Sequence, residues 1–170
     1  MRRYTPCSLL VVITLGACDL TGTDQEQFEA TLTGASEVPA NASTATGTAE
    51  FTVNDNGTIS YQIEVNTLRN VFAGHIHGPA ATTANAPVLV TLFPGPGQAV
   101  PIALANGVLV QGSFGAAQIA NAAVSLDSLL TIMRNGNSYV NLHTNDGVAP
   151  TNTGPGDLAS GEIRGQIRRD

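Results

Sequence analysis

Short runs in which every second residue is apolar recur along this chain, and they confine it to a β fold. Phe28, Ala30 and Leu32 alternate with Glu29, Thr31 and Thr33. Ala49, Phe51 and Val53 alternate with Thr48, Glu50 and Thr52, and Ile59, Tyr61, Ile63 and Val65 with Ser60, Gln62, Glu64 and Asn66. Successive side chains of a strand point to opposite faces, so this pattern predicts strands with one buried and one wet face. Asn54-Asp55-Asn56-Gly57 predicts the hairpin turn between the second and third runs, because Asn and Gly accept positive φ at low cost. Further strands are expected at Val71–Ile76, Val88–Phe93, Val108–Phe114, Tyr139–Thr144 and Gly161–Ile167. Many strands with Gly/Pro turns and little helix predict an all-β fold, an antiparallel Greek-key-like sandwich or barrel. One short helix is expected. Ser125 is placed to cap it, Asp127 in its first turn, Arg134 in its last, and Gly136 just beyond. Leu126, Leu129, Leu130 and Met133 form the stripe that packs it on the sheet. Pro94-Gly95-Pro96-Gly97 and residues 146–160 are expected loops.

The first eighteen residues are of another kind. Arg2 and Arg3 precede the apolar run Ser8–Leu15, and Leu15-Gly16-Ala17-Cys18 resembles a lipobox, where a bacterial leader is cut and the new N-terminal cysteine acylated. The run is far short of the ~20 apolar residues that span a bilayer. The expected organisation is a lipoprotein signal peptide over residues 1–17, a lipidated N-terminus and tether over 18–27, and one β domain over 28–169. Membrane lipid, through Cys18, is then the first partner, and two or more acyl chains give a stable anchor. The domain is expected outside the cytoplasm, on the periplasmic side of a membrane or on the cell surface.

Composition narrows the function. Removing the leader takes away Arg2, Arg3 and Cys7, and lipid takes Cys18, so no disulfide, thiolate metal site or cysteine nucleophile is left. Five arginines then face 13 acidic residues, a net charge of −8, and there is no lysine. Such a surface repels phosphate backbones, which excludes nucleic acid as a partner. Arg164, Arg168 and Arg169 cluster near the end but are flanked by Glu162 and Asp170, as at a solvated or ion-paired strand end. With no tryptophan, a sugar-stacking platform is not expected. Gly112-Ser113-Phe114-Gly115 is not a nucleophile elbow, and no carboxylate pair can be placed across a cleft. Asp146, Asp157 and Glu162 lie among Asn and Thr without EF-hand spacing.

Several short segments, taken in order, resemble one family. They are Phe28–Gly34 leading to Glu37-Val38-Pro39, then Gly47–Phe51, Gly57–Tyr61, Ala73-Gly74-His75-Ile76-His77-Gly78, Tyr139–Thr144 and Gly161–Ile167. This series is similar to the CHRD domain, first described in chordin, and the similarity runs from about residue 28 to 168. It implies a β-rich extracellular domain and no particular reaction. The cysteine-rich modules that accompany the domain in chordin are absent here, so growth-factor antagonism is not implied. A weaker resemblance is to Cu/Zn superoxide dismutases, Greek-key sandwiches in which a Gly-x-x-x-Phe strand and a hairpin precede a His-x-His pair. That family uses further histidines and an aspartate around its metals, plus a disulfide; this chain has only three histidines and no cysteine pair left, so the likeness extends to architecture only.

All three histidines fall in the two most distinctive segments. His75 and His77 lie two apart on an expected strand and so share a face. His143 shares a face with Tyr139 and Asn141 on another. If those strands are neighbours, His75, His77 and His143 form a metal site suited to copper or zinc, with Glu162 or Asp146 as an oxygen ligand or an outer acceptor. The other outcome is a buried network in which His75, His77, Asn141, Thr144, Glu162 and Arg164 pin strands together, with Glu162 and Arg164 as an ion pair. The two outcomes lead to two functions. One is a non-enzymatic binding or structural module of the cell envelope, with an envelope or extracellular protein as partner. The other is an envelope metalloprotein binding copper or zinc, with no certain cofactor otherwise.

Overall fold

The computed structural model describes residues 25–170. The expected leader, Cys18 and most of the tether lie outside the described residues. Among the described residues eight strands run β1 (Gln27–Thr33), β2 (Thr46–Val53), β3 (Ile59–His77), β4 (Val88–Phe93), β5 (Ile102–Phe114), β6 (Tyr139–Thr144), β7 (Ile163–Gln166) and β8 (Arg168–Arg169), with one α-helix, α1 (Leu126–Arg134), before β6. Every strand pairing is antiparallel. Among the described residues no helix is long and apolar enough to cross a membrane.

The sheet closes through one strand. Its order is β2-β1-β7-β6-β3-β4, and β3 also pairs with β2 and β5. The first half of β3 pairs with β2 and β5, and its second half with β6 and β4. Thr67 and Asn70 lie between the halves with φ of 56° and 51°. Bulges there let one strand bend from one half of the barrel to the other. This corrects the expectation of a separate strand at Val71–Ile76: that segment is the second half of a 19-residue strand. β5 likewise begins at Ile102, earlier than its most apolar stretch, and the last long run yields only Ile163–Gln166.

Local chemistry explains the other elements. In β1 the burial alternates strictly, with Phe28, Ala30 and Leu32 inside, and β2 does the same with Ala49 and Phe51. Gly57, at φ 77°, donates to the Asn54 carbonyl and closes the expected hairpin turn. The Ser125 hydroxyl accepts the Ser128 N–H at 3.1 Å as the helix cap. Leu129, Leu130 and Met133 are buried and Leu126 packs beside them. The ordered sheet begins just before Phe28. Gln27 begins β1, the Glu26 carbonyl accepts from Val53, and the Glu26 carboxylate pairs with Arg134.

β6 is buried on both faces. Val140 and Leu142 point into the apolar core with Ile76 and Ile163. Tyr139, Asn141 and His143 point to the opposite face, where three loops cover them: residues 34–45, 78–87 and 145–162. The functional candidates lie under this cover.

Candidate metal centre

Register brings the histidines together. His77 lies opposite Tyr139, His75 opposite Asn141, and Ala73 opposite His143. The three imidazoles therefore occupy one corner of the polar face, on two adjacent strands. Each ring presents one nitrogen, and these nitrogens lie within 4.8 Å of one another. His77 and His143 are buried, and His75 is partly exposed.

The hydrogen bonds fix which nitrogen each ring presents. His77 Nδ1 lies 2.9 Å from the Ala86 carbonyl, and His143 Nδ1 lies 3.1 Å from the Ala159 carbonyl. A carbonyl only accepts, so both Nδ1 atoms carry the proton and both Nε2 atoms keep a lone pair. His75 Nδ1 lies 3.2 Å from His143 Nε2 and donates to it. His77 Nε2 is buried with no partner. An imidazole that donates one N–H to a backbone carbonyl and leaves its other nitrogen bare is the usual form of a metal ligand.

Electrostatics keep the rings neutral. Burial, and then His77, push His75 down to about 4. Burial, and then His75, push His143 down to about 4. His77 is lowered by burial, against the Ala86 bond, and further by the Arg164 charge.

Two ligands on a tetrahedral ion with ~2.0–2.1 Å bonds lie roughly 3.3 Å apart. The His75–His143 pair already has that spacing, and the His77 nitrogen lies within 4.8 Å of both. Among the described residues no carboxylate joins the group. Neither Glu162 nor Asp146 supplies the expected oxygen. The Asp146 carboxylate accepts from the Val148 N–H in its own loop.

The remaining polar residues form two separate assemblies, which corrects the expectation of one network. Glu162 is 2 % exposed and accepts from the Thr144 and Ser43 hydroxyls and the Gly156 N–H. Three donors satisfy the carboxylate without a cation, and Glu162 and Arg164 form no ion pair. Arg164 is 1 % exposed and so is no solvated strand end. It donates to the Asn85 side chain and to the Ala81 and Ala84 carbonyls, and it lies over the Tyr139 ring at 3.5 Å. Arg168 and Arg169 are exposed, as expected, with Arg169 3.5 Å from Glu26. Asp157 accepts from the Thr153 N–H and hydroxyl and does not converge with Glu162.

Three contributors were not among the expected site residues: Glu37 and the Ala86 and Ala159 carbonyls. Glu37 comes from the 34–45 loop to meet Asn141 at 3.4 Å, and burial raises its carboxyl to about 7. Its signature was an acid buried inside an otherwise small and apolar segment, Ala35 to Ala40. The Ala86 and Ala159 carbonyls carry no side-chain signature at all.

A family model of the CHRD domain matches residues 28–167. No curated protein and no solved structure matches the chain. The matched span begins at the first residue of β1 to enter the core and ends after β7, so it takes in the closed sheet, the helix and all three histidines. The chain belongs to the CHRD domain family.

Proposed function

We propose that this chain is a lipid-anchored, extracytoplasmic CHRD domain that binds one copper or zinc ion through His75, His77 and His143. The lipobox-like segment ending at Cys18 supports the anchor and the location. One observation carries the metal: the buried Nε2 of His77 has no partner, and it belongs to a group of three imidazole nitrogens within 4.8 Å of one another. An unpaired buried acceptor costs free energy on the order of 1–3 kcal/mol, and an ion at this point removes that cost. The protein's part is binding. Among the described residues no carboxylate joins the three rings.

A second reading is a metal-free binding or structural module of the envelope. The His75–His143 hydrogen bond favours it, because that bond joins β3 to β6 without an ion. It leaves His77 Nε2 unexplained.

Cobalt(II) tests the first reading, since it occupies zinc sites and reports their geometry. The purified full-length chain should take one equivalent and develop the visible bands of a four-coordinate nitrogen-rich site. A spectrum of hexaaquo cobalt at one equivalent contradicts the proposal.

A further inference from the structure

Three neutral imidazoles bring no charge to an ion, so charges around them decide which ion is favoured. The charged side chain stacked against this group is positive: Arg164 lies on the Tyr139 ring, which itself stacks on His77. Tyr139 lies on β6, between His77 on β3 and Arg164 on β7. Its ring stacks on His77 with centroids 5.0 Å apart and planes 4° from parallel, and the guanidinium carbon lies 3.5 Å from the same ring centre. The guanidinium keeps its proton at all working pH values. Its hydrogen-bond partners, Asn85 Oδ1 and the Ala81 and Ala84 carbonyls, are uncharged. No carboxylate lies within ion-pair distance of it among the described residues. Two carboxyls share its surroundings. Glu37 faces it from the 34–45 loop and is held toward the neutral form by burial. Glu162 is engaged by Thr144, Ser43 and Gly156.

Resting on the metal reading above, we infer that the buried Arg164 charge makes the three-histidine centre selective for monovalent copper over copper(II) and zinc(II). A zinc site usually includes an anionic ligand or lies in surroundings that accept two positive charges. Here each added unit of charge on the ion meets, across one aromatic ring, a cation that has no ion-pair partner among the described residues. At such a separation in a partly buried setting, that unit lowers affinity on the order of tenfold. Soft or borderline ligands without charge suit copper(I), and three of them satisfy it.

The test compares the full-length chain with Arg164→Gln and Arg164→Lys. Both variants lose the planar fork that holds the 78–87 loop, and only the first loses the charge. Copper(I) affinity is measured anaerobically by competition with bathocuproine disulfonate, and copper(II) and zinc(II) affinities by competing chelators. The ratio of copper(I) to copper(II) affinity should fall roughly tenfold in Arg164→Gln and stay near the wild-type value in Arg164→Lys. An unchanged ratio in both variants, or an equal fall in both, overturns the inference and leaves the metal reading intact. Binding that a triple histidine variant retains overturns the metal reading itself. Should both arginine variants fail to fold, the reduction potential of the copper-loaded wild type decides. A value above that of aqueous copper–imidazole supports the role of Arg164, and a value at or below it overturns that role.

Discussion

His75 Nδ1 and His143 Nε2 lie 3.2 Å apart across β3 and β6, so one proton now joins two atoms placed to share an ion. The tautomers follow from the carbonyls behind the rings, and they are directly measurable. Nitrogen-15 NMR of the metal-free chain should show His77 and His143 protonated at Nδ1 and bare at Nε2. Zinc should shift Nε2 of those two rings and Nδ1 of His75. An Nε2–H tautomer at His77 contradicts the site geometry.

Acid should destabilise the fold before the carboxylates are exhausted. His75 and His143 titrate at about 4 when folded, against ~6.5 when unfolded. A base whose proton affinity is depressed on folding stabilises the fold fully above the unfolded value, and that stability is lost as pH falls through the folded one. Unfolding free energy of the metal-free chain should therefore drop from pH 6.5 to pH 4. Glu37 acts in the opposite sense and shallows the slope. Urea melts across this range check it, and His75→Gln with His143→Gln should flatten the curve.

Glu37 gives the complementary prediction. Its folded value of about 7 lies above the ordinary 4.5, so it stabilises below 4.5 and loses that contribution as pH rises through 7. Its Oε1 and Asn141 Oδ1 are both buried without partners, and both lie within 2.8 Å of where a Gly161 side chain would begin. A proton on Oε1 supplies a donor beside an acceptor that has none. Glu37→Gln should stabilise the chain at pH 9 by roughly 2 kcal/mol and leave it near wild type at pH 4.5. Denaturant melts at the two pH values decide it.

Gly161 should tolerate no side chain. At φ 136°, an added Cβ would meet Asn141 Nδ2 at 2.6 Å, Asn141 Oδ1 at 2.7 Å and Glu37 Oε1 at 2.8 Å. Gly161→Ala should cost roughly 2–3 kcal/mol through overpacking and backbone strain. The same change shifts the loop that holds the Ala159 carbonyl against His143, so metal affinity should fall with it. Unfolding and metal competition on the same variant measure both effects.

Glu162 gathers donors from three separate segments, and its replacement tests that hub. Glu162→Gln removes the charge and turns one acceptor oxygen into a donor facing Thr144, Ser43 or Gly156. A cost of about 3 kcal/mol is expected, with metal affinity lowered only through the loop. An unchanged melting midpoint contradicts the assignment.

What the residues announced in advance had local causes. Val88–Phe93 ends where its apolar run ends, β6 keeps the expected bounds Tyr139–Thr144, and α1 begins directly after the serine that caps it. The convergence of His75, His77 and His143 was legible because spacing of two fixes a shared face and only neighbouring strands were needed. The bend in β3 was hidden. Asn66 to Asn70 breaks the alternation like a turn, yet Thr67 and Asn70 take positive φ within a continuing strand, with Thr67 N–H on Asn106 and the Asn70 side chain on the Gly156 carbonyl. Those partners are 39 and 86 residues away, and no local pattern encodes them. The same holds for Glu162. Its two-residue spacing from Arg164 pointed to an ion pair, but its donors come from the end of β6 and from two loops whose positions depend on the closed fold.

Metal titration by calorimetry is the most direct test of the account. The full-length chain, stripped with chelator, is titrated with copper and with zinc beside the variant carrying His75→Ala, His77→Ala and His143→Ala. The variant keeps both cysteines, so any binding it retains comes from elsewhere in the chain. The wild type should bind one equivalent with submicromolar affinity, and the variant should lose it. Equal binding by the two, or none by the wild type, would contradict it and leave the three histidines as hydrogen-bonding residues of the strand pair.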